Sequence, residues 1–197
     1  MGGDPSACSP TAIQSILLVY NLNNENLYKI MKDVISVDLP GFKAKYNIEW
    51  FDSIDFSKLE NIKQVYGVIF NNQGELLIVN TVGNWQLPGG KPEKGESIHQ
   101  TLHREVREEA SVEINELNPL GYQLVSEIKE KAQGSTFCQI RIAAKIKKIN
   151  PIAVDPATGK VPERKFIKVS DFLDYCPWGK IGQHVVDKAH ATMGFKN

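Results

Sequence analysis

Residues 90–109 read GKPEKGESIHQTLHREVREE, a glycine-containing loop that runs into a segment crowded with acidic side chains. If this segment is an α-helix, Glu105, Glu108 and Glu109 lie on one face, because side chains three and four positions apart are helical neighbours. Like charges at such spacing repel each other by roughly a few tenths of a kcal/mol per pair. Hard divalent ions such as Mg²⁺ prefer oxygen ligands and would remove that repulsion. The stretch therefore predicts an acidic helix face that binds a metal ion.

The flanks of the acidic segment indicate where the helix begins and ends. The preceding loop, residues 89–96, holds three glycines and a proline, which disfavour regular structure. Ser97 then opens a helix that runs to about residue 110. Its apolar residues Ile98, Leu102 and Val106 recur every four positions. They are predicted to face the core, which leaves the carboxylates on the side of a cleft.

The fixed positions of this stretch resemble the Nudix box, the signature of the Nudix hydrolases. That signature places a Gly, five residues, a Glu and seven residues before Arg-Glu-aliphatic-x-Glu-Glu-x-Gly-aliphatic. The matching residues are Gly90, Glu96, Arg104, Glu105, Val106, Glu108, Glu109 and Val112. The lead-in at residues 85–90, WQLPGG, is also similar to that of the family. So many residue types at fixed spacing make the resemblance specific.

The resemblance implies a site for Mg²⁺ or Mn²⁺ and assigns roles within it. The positions that match the family's metal ligands are Glu105, Glu108, Glu109 and the backbone carbonyl of Gly89. Glu108 and Arg104 are expected among the catalytic residues, and the pair of Arg104 with Glu96 is expected to orient helix and loop. The alternative interpretation is that the glutamates form an ordinary solvated helix face.

The group that accepts the proton of the attacking water lies outside the box in many members of the family. Glu163, in the loop before a strand predicted at residues 164–169, is the first candidate for this general base. Glu127 and Glu130, near a predicted hairpin, are weaker candidates. An ordinary exposed loop carboxylate is the competing interpretation of Glu163.

Two residues are candidates for substrate binding. Trp85 has a ring that can stack on a base, and packing in the core or at its rim is the equal alternative. Arg141 alternates with two other residues along a predicted strand and can meet a phosphate, whereas a solvent-facing arginine is the simpler interpretation.

Ser111 is the one departure from the signature, which has glycine there. Glycine at this position ends a helix in the left-handed conformation. Serine in that conformation costs about 1 kcal/mol, or else the helix ends differently. Because the position supplies no ligand, we expect the departure to affect local geometry more than activity.

The order of predicted elements favours an α+β fold with a mixed sheet flanked by helices. Strands are predicted near residues 65–70, 76–79, 119–128 and 137–149, and a last helix at 182–193. The resemblance implies an α/β/α sandwich over a Nudix hydrolase domain at 62–197. Residues 1–61 are predicted to form a helical N-terminal extension, with helices starting at Ser9-Pro10 and around residues 27–35.

The composition narrows the class of protein. The chain has 197 residues and a formal net charge of zero, which does not favour a nucleic-acid-binding surface. No apolar run is long enough to span a bilayer, and the N-terminus has no secretory pattern. Three widely spaced cysteines, Cys8, Cys138 and Cys176, fit a reducing cytoplasm better than a disulfide framework.

The predicted function is metal-dependent hydrolysis of a diphosphate bond by water, in a nucleoside diphosphate linked to another group. A nucleoside triphosphate and an ADP-ribose or sugar-nucleotide type of substrate both stay open. The N-terminal extension favours the second by family analogy, since such extensions often build a homodimer. The alternative from another class is a Nudix module that senses a nucleotide without hydrolysing it, and RNA 5′-end processing is a third.

Overall fold

The computed structural model describes residues 31–39, 42–81, 83–129, 134–156 and 159–196. Within these ranges the chain forms nine strands and three α-helices. No helix among the described residues is long and apolar enough to cross a membrane.

The nine strands belong to one mixed sheet. They are β1 (Met31–Leu39), β2 (Phe42–Phe51), β3 (Ile62–Phe70), β4 (Leu76–Asn80), β5 (Trp85–Gln86), β6 (Gly89–Gly90), β7 (Val112–Ile128), β8 (Thr136–Ile149) and β9 (Glu163–Ile167). Their order is β1-β2-β7-β8-β3-β4-β5, with β6 on β3 and β9 on β4. Strands β3 and β8 are parallel, whereas the other described pairs are antiparallel.

Helices cover both faces of this sheet. They are α1 (Ile98–Ala110), α2 (Phe172–Tyr175), which follows a 3₁₀ turn at Val169–Asp171, and α3 (Gly179–Thr192). Leu102 and Val106 of α1 are fully buried against one face, where they join Ile69 of β3. Val186 and other apolar residues of α3 pack on the opposite face with Phe70. Two cores, one on each side of the sheet, confirm the predicted α+β class with an α/β/α arrangement.

The helical interpretation is wrong for residues 31–39 and 42–51, which form β1 and β2. Helical spacing of apolar residues is the basis of the prediction at 27–35 only, and β1 contains the β-branched residues Val34, Ile35 and Val37. Strand β2 pairs antiparallel with β1 on one side and, along Lys45–Phe51, with β7 on the other. This pairing determines the extended conformation of β2. The predicted helix at Ser9-Pro10 lies outside the described residues, and the division of domains at residue 61 stays a prediction.

Elsewhere the predicted elements are present with shifted ends. Strand β7 begins at Val112, seven residues before the predicted start at 119, and α3 begins at Gly179 instead of 182. Strands β3 and β4 are joined by the predicted turn, in which Gly74 donates to the carbonyl of Asn71 at 3.1 Å.

Candidate active site

The first turn of α1 is fixed by a capping box. The hydroxyl of Ser97 accepts from the backbone N–H of Gln100 at 3.2 Å, and the Gln100 side chain accepts from the N–H of Ser97 at 2.8 Å. These bonds satisfy backbone donors that a helix start leaves unpaired. The helix therefore begins where the sequence predicts, and the register of its carboxylates is set by residues within the box itself.

Arg104 ties the loop before α1 to the helix. Its Nε and Nη2 donate to the two carboxylate oxygens of Glu96 at 2.8 and 3.0 Å, and Nη2 also donates to the carbonyl of Lys91 at 3.0 Å. The Thr101 hydroxyl and the Glu93 N–H donate to the same carboxylate. Hydrogen bonds from Arg104, followed by the one from the Glu93 backbone, lower the pKa of Glu96 to about 2. This pair has the orienting geometry that the resemblance implies.

The same guanidinium also contacts the acidic face. Nη1 of Arg104 lies 2.8 Å from Glu105 and 3.1 Å from Glu108. Hydrogen bonding to Glu96 and then to Glu105 raises the pKa of Arg104. The repulsion expected from the sequence is therefore relieved in part by an arginine within the box, which charge spacing alone did not indicate.

Two glycines bring the loop against the carboxylates. Strand β6 pairs with Val65 and Tyr66 of β3, and a Cβ on Gly89 (φ +150°) would collide with the carbonyl of Val65. A Cβ on Gly90 would collide with the carboxylate of Glu105. A side chain at position 89 would push the loop away from β3, and one at position 90 would displace the loop or the Glu105 carboxylate. The loop can pass this close only because neither residue has one.

Glu109 lies at the centre of this contact. Its carboxylate accepts from the N–H of Gly89 at 2.8 Å. Burial raises the pKa of Glu109 to about 8, with Glu105 and Asp155 adding negative charge nearby, although the Gly89 bond works in the other direction. Burial also raises the pKa of Glu105, against the lowering effect of Arg104. Both carboxylates thus lie in surroundings that disfavour their negative charge without a cation.

Asp155 is a carboxylate of the site that the sequence did not single out. It is 3% exposed, in the loop between β8 and β9, and it lies close enough to Glu109 to raise the pKa of that group. It stands in a Pro- and Gly-containing loop, where an aspartate is ordinary and no spacing marks it. Only the folded chain brings it beside the box.

The C-terminal end of α1 has the conformation that the family's glycine would take. Ser111 lies in the left-handed region, with φ 53° and ψ 42°, and its N–H donates to the carbonyl of Arg107. Of the two expected outcomes, a serine in the left-handed conformation or a different helix end, the structure shows the first. The Ser111 side chain also accepts a hydrogen bond from the N–H of Ala153 at 3.0 Å.

The proposed general bases lie away from this centre. Glu163 is the exposed first residue of β9, not a loop residue. Its neighbour Arg164 donates to the carbonyl of Ala110 on the α1 side, so strand alternation directs Glu163 to the other face of the sheet. Glu127 is held by Ser135 and Lys129 in the β7–β8 connection. Glu130 lies outside the described residues.

Trp85 packs in an aromatic cluster at the edge of the sheet. Its ring centroid lies 6.1 Å from that of Tyr175 in an edge-to-face arrangement. The ammonium of Lys165 lies 5.0 Å from the Trp85 centroid and 4.7 Å from the Tyr175 centroid. The ring is partly buried, so it keeps some surface for a stacking partner.

Arg141 is buried, and the solvent-facing interpretation of it is wrong. It is 2% exposed and lies over the ring of Tyr66 at 4.5 Å, with Trp178 at 5.4 Å. Its Nη2 donates to Gln123 and Gln139 at 2.5 and 3.0 Å. Burial lowers the pKa of Arg141 to about 10.

Comparisons with known proteins match this geometry to a family. A family model described as the NUDIX domain matches residues 61–184. The curated 8-oxo-dGDP phosphatase NUDT18 of Danio rerio is 36% identical over 109 residues, which is 52% of this chain and 30% of that protein. The chain thus spans less than a third of the length of this relative.

Solved structures show the same fold at low sequence identity. The pyrophosphohydrolase BsRppH of Bacillus subtilis superposes with a TM-score of 0.61 at 20% identity, over 77% of this chain and 94% of that chain. A NUDIX hydrolase from Nitrosomonas europaea gives a TM-score of 0.51 at 18% identity, over 69% and 93% of the two chains. Since the family model covers well over half of the residues and falls on the box described above, this chain belongs to the Nudix hydrolase family.

Proposed function

We propose that this chain hydrolyses a diphosphate bond in a nucleoside diphosphate derivative, by attack of water and with Mg²⁺ or Mn²⁺ bound at the box. The observation that carries the proposal is the contact of the Gly89–Gly90 loop with Glu105 and Glu109. It places a backbone free of side chains against two carboxylates that are costly to ionise unless a cation is present. A substrate diphosphate needs such a site, since its oxygens must be neutralised before water approaches.

The donor set fits a hard divalent ion in its chemistry. Glu105, Glu108, Glu109 and the Gly89 carbonyl offer oxygen only, as Mg²⁺ prefers. Among the residues that the structure describes, no three acidic, histidine or cysteine side chains stand together as a ready metal site. Nη1 of Arg104 binds Glu105 and Glu108 in the structure. A bound ion would have to draw these oxygens from Arg104.

When bound, the ion supplies charge neutralisation and polarisation of a phosphoryl oxygen. The chain's own residues do the rest. Arg104 holds the loop by Glu96 and Lys91, and the Gly89 N–H bonds Glu109 of the helix. The carboxylates orient water, and one of them accepts its proton. Asp155 is our candidate for that step ahead of Glu163, because Asp155 is buried and contributes to the raised pKa of Glu109, whereas Glu163 is exposed at the start of β9.

The substrate is proposed from the relative with the higher sequence identity. That protein is named a phosphatase of 8-oxo-dGDP, and the 36% identity covers about half of this chain. A nucleoside diphosphate, oxidised or not, is therefore a further candidate substrate. The nucleoside triphosphates and ADP-ribose type molecules expected from the sequence remain candidates. Trp85 remains the proposed stacking partner of the base, and Arg141 remains the proposed contact to a phosphate. The homodimer and the cytoplasmic location stay predictions.

The test is a screen of purified chain with Mg²⁺ against nucleoside diphosphates and triphosphates, their 8-oxo forms, ADP-ribose, sugar nucleotides and dinucleoside polyphosphates. Products are identified by chromatography and mass. We expect a nucleoside monophosphate among the products, and solvent ¹⁸O in a phosphate product. Binding of a nucleotide with no product from any member of the panel would refute hydrolysis and favour the sensor.

A further inference from the structure

Three glutamines form a row across three strands, on the face of the sheet where α3 packs. Gln64 of β3 lies opposite Gln139 of β8, which in turn lies opposite Gln123 of β7. Residues paired in this way point to the same face of a sheet. Tyr66 and Arg141 form the next row on that face. The core on this face is otherwise largely apolar, so the hydrogen bonds of the glutamines need a full account.

Arg141 determines how two of the glutamine amides are oriented. The nitrogen and oxygen ends of an amide have nearly the same shape, so only a partner of fixed polarity decides which end points where. A guanidinium is such a partner, because it donates hydrogen bonds and cannot accept them. Nη2 of Arg141 lies 2.5 Å from Gln123 and 3.0 Å from Gln139. The amide atom that faces Arg141 is therefore Oε1 in both glutamines.

This orientation leaves Gln64 with a donor and no acceptor. Because Gln139 turns its oxygen to Arg141, its Nε2 faces Gln64 and donates to Oε1 at 2.6 Å. The Tyr66 hydroxyl donates to the same oxygen at 2.9 Å. A carbonyl oxygen has two lone pairs, so Oε1 of Gln64 is filled. Its NH₂ group bonds no other residue that the structure describes, and the side chain is only half-buried.

The free amide group of Gln64 lies on the strand that carries the glycine loop. Tyr66 pairs with Gly89, whose N–H bonds Glu109, and a Cβ on Gly89 would collide with Tyr66. Gln64 is two residues further along β3, about 7 Å by the rise of a strand. Trp178, at the start of α3, packs on Tyr66 at 5.5 Å between ring centroids. A base joined through ribose to a diphosphate at the box can therefore reach Gln64 on this face.

We infer that Gln64 is a specificity-determining residue, whose amide NH₂ selects nucleotides with a keto base over those with an amino base. The inference rests on the proposed function and names the class of base. A keto oxygen, such as O6 of guanine or hypoxanthine and O4 of uracil, accepts a hydrogen bond from this group. The amino group of adenine or cytosine is a donor, so two donors would face each other unpaired. Glutamine binds adenine through its oxygen and nitrogen together, and the filled oxygen of Gln64 closes that mode.

The test compares bases that differ at this group. Inosine and adenosine nucleotides are compared, as are uridine and cytidine nucleotides, in the phosphate form that the chain hydrolyses best with Mg²⁺. The wild type should favour inosine over adenosine, and uridine over cytidine, by roughly tenfold or more in kcat/KM. Gln64→Glu replaces the NH₂ group by an acceptor oxygen of similar shape, so the inosine to adenosine ratio should fall to about one or below. Repulsion between the new carboxylate and the phosphates acts on both nucleotides and cancels in the ratio.

Two further variants complete the test. Gln73→Glu is the matched control, since it makes the same change at an exposed position in the turn after β3, and it should leave the ratio unchanged. Gln139→Leu removes the donor that fills Oε1 of Gln64, so Gln64 can accept from an amino group and the ratio should fall at least threefold. Circular dichroism and thermal midpoints check the fold of each variant. If Gln64→Glu does not fold, Gln139→Leu decides.

The outcomes separate this inference from the proposed function. Equal kcat/KM for inosine and adenosine nucleotides in the wild type would overturn the inference and leave hydrolysis standing. An unchanged ratio in a folded Gln64→Glu would do the same. If the wild type hydrolyses no nucleotide, the proposed function fails, and calorimetric binding of the four nucleotides with Mg²⁺ then decides the preference. Equal binding of keto and amino bases, or binding of none, would overturn the inference there too.

Discussion

The two ends of α1 are built in different ways. At the N-terminal end, Ser97 bonds Gln100 three residues away, and Arg104 reaches Glu96 across eight residues. At the C-terminal end, the partners are Ala153 and Arg164, which lie 42 and 54 residues along the chain from the atoms they contact. One end is closed by the box alone. The C-terminal end is held by the loop after β8 and by β9, which follow the box in the sequence.

The difference separates two tasks of the same helix. The N-terminal contacts fix the glycine loop against the carboxylates, which any diphosphate site of this kind requires. The C-terminal contacts hold Ala153 and Arg164 against the end of the helix, and both residues lie outside the box. The N-terminal end is thus fixed by contacts within the box, and the C-terminal end by contacts over a long sequence separation. Variants at the two ends should then differ in what they lose.

The largest effect on activity is expected from a substitution of Glu109, which lies near the C-terminal end of α1 and also bonds the glycine loop. Glu109→Gln should lower kcat by about 10²–10³-fold, as loss of a major electrostatic group does. Its fold should persist, since a pKa of about 8 leaves the buried Glu109 carboxyl largely neutral at pH 7 without metal, and glutamine is neutral too. A chelator should abolish wild-type activity, and Mg²⁺ should restore it. Wild-type rates in Glu109→Gln, measured by phosphate or nucleotide release, would remove it from the site.

The next effect separates the two candidate bases. Asp155→Asn should reduce kcat by about 10²-fold, the usual scale for a general base. Glu163→Gln is the matched control, because it makes the same chemical change on an exposed carboxylate. It should change kcat by less than about twofold. A large loss in Glu163→Gln with none in Asp155→Asn would reverse the assignment. Circular dichroism of both variants checks that they fold.

The contrast between the ends also explains what could be predicted from the sequence. Ser97 and the Glu96–Arg104 pair follow from spacing along a single helix and its loop, so local rules find them. Arg104 also contacts Glu105 and Glu108 through Nη1. Sequence spacing does not specify which carboxylate each nitrogen of the guanidinium binds. Asp155 depends on the path of a loop after β8. No local pattern carries that information.

The fold shows the same limit. Helix α1 and the hairpin of β3 with β4 were predicted because their signals are local periods and turns. Strands β1 and β2 were not, since pairing of β2 with β7 decides their conformation over a long sequence separation. Trp50, fully buried in β2, shows how closely this pair belongs to the core. Tertiary contacts override a weak helical period in such a segment.

A pair of arginine variants compares the ends directly. Arg104→Lys should weaken apparent Mg²⁺ affinity or kcat about 10–100-fold, since lysine cannot bond Glu96 through two nitrogens while also reaching Glu105. Arg164→Gln should instead reduce the free energy of unfolding by about 1–3 kcal/mol, because the carbonyls of Ala110 and Asn150 lose a donor. Its kcat should fall less than that of Arg104→Lys. Denaturant unfolding and a Mg²⁺ titration of activity measure both, and the opposite ranking would break the comparison.

The smallest effect is in the pH dependence of stability without metal, where the two ends should respond in opposite ways. The pKa of Glu96 is lowered from 4.5 to about 2, so its stabilising contribution is lost as pH falls through that window. The pKa of Glu109 is raised from 4.5 to about 8, so the folded chain holds its proton longer and stability declines as pH rises from 4.5 to about 8. Thermal midpoints in chelator should therefore be highest near pH 4–5, by roughly a few degrees.

Two variants assign the limbs of that profile. Glu109→Gln should flatten the decline above pH 5 and leave the acid limb, whereas Glu96→Gln should remove the acid limb only. Adding Mg²⁺ to the wild type should raise the midpoint most at high pH, where the carboxylates are ionised and bind the ion best. A decline above pH 5 that survives in Glu109→Gln would place its origin elsewhere than at this end of the helix.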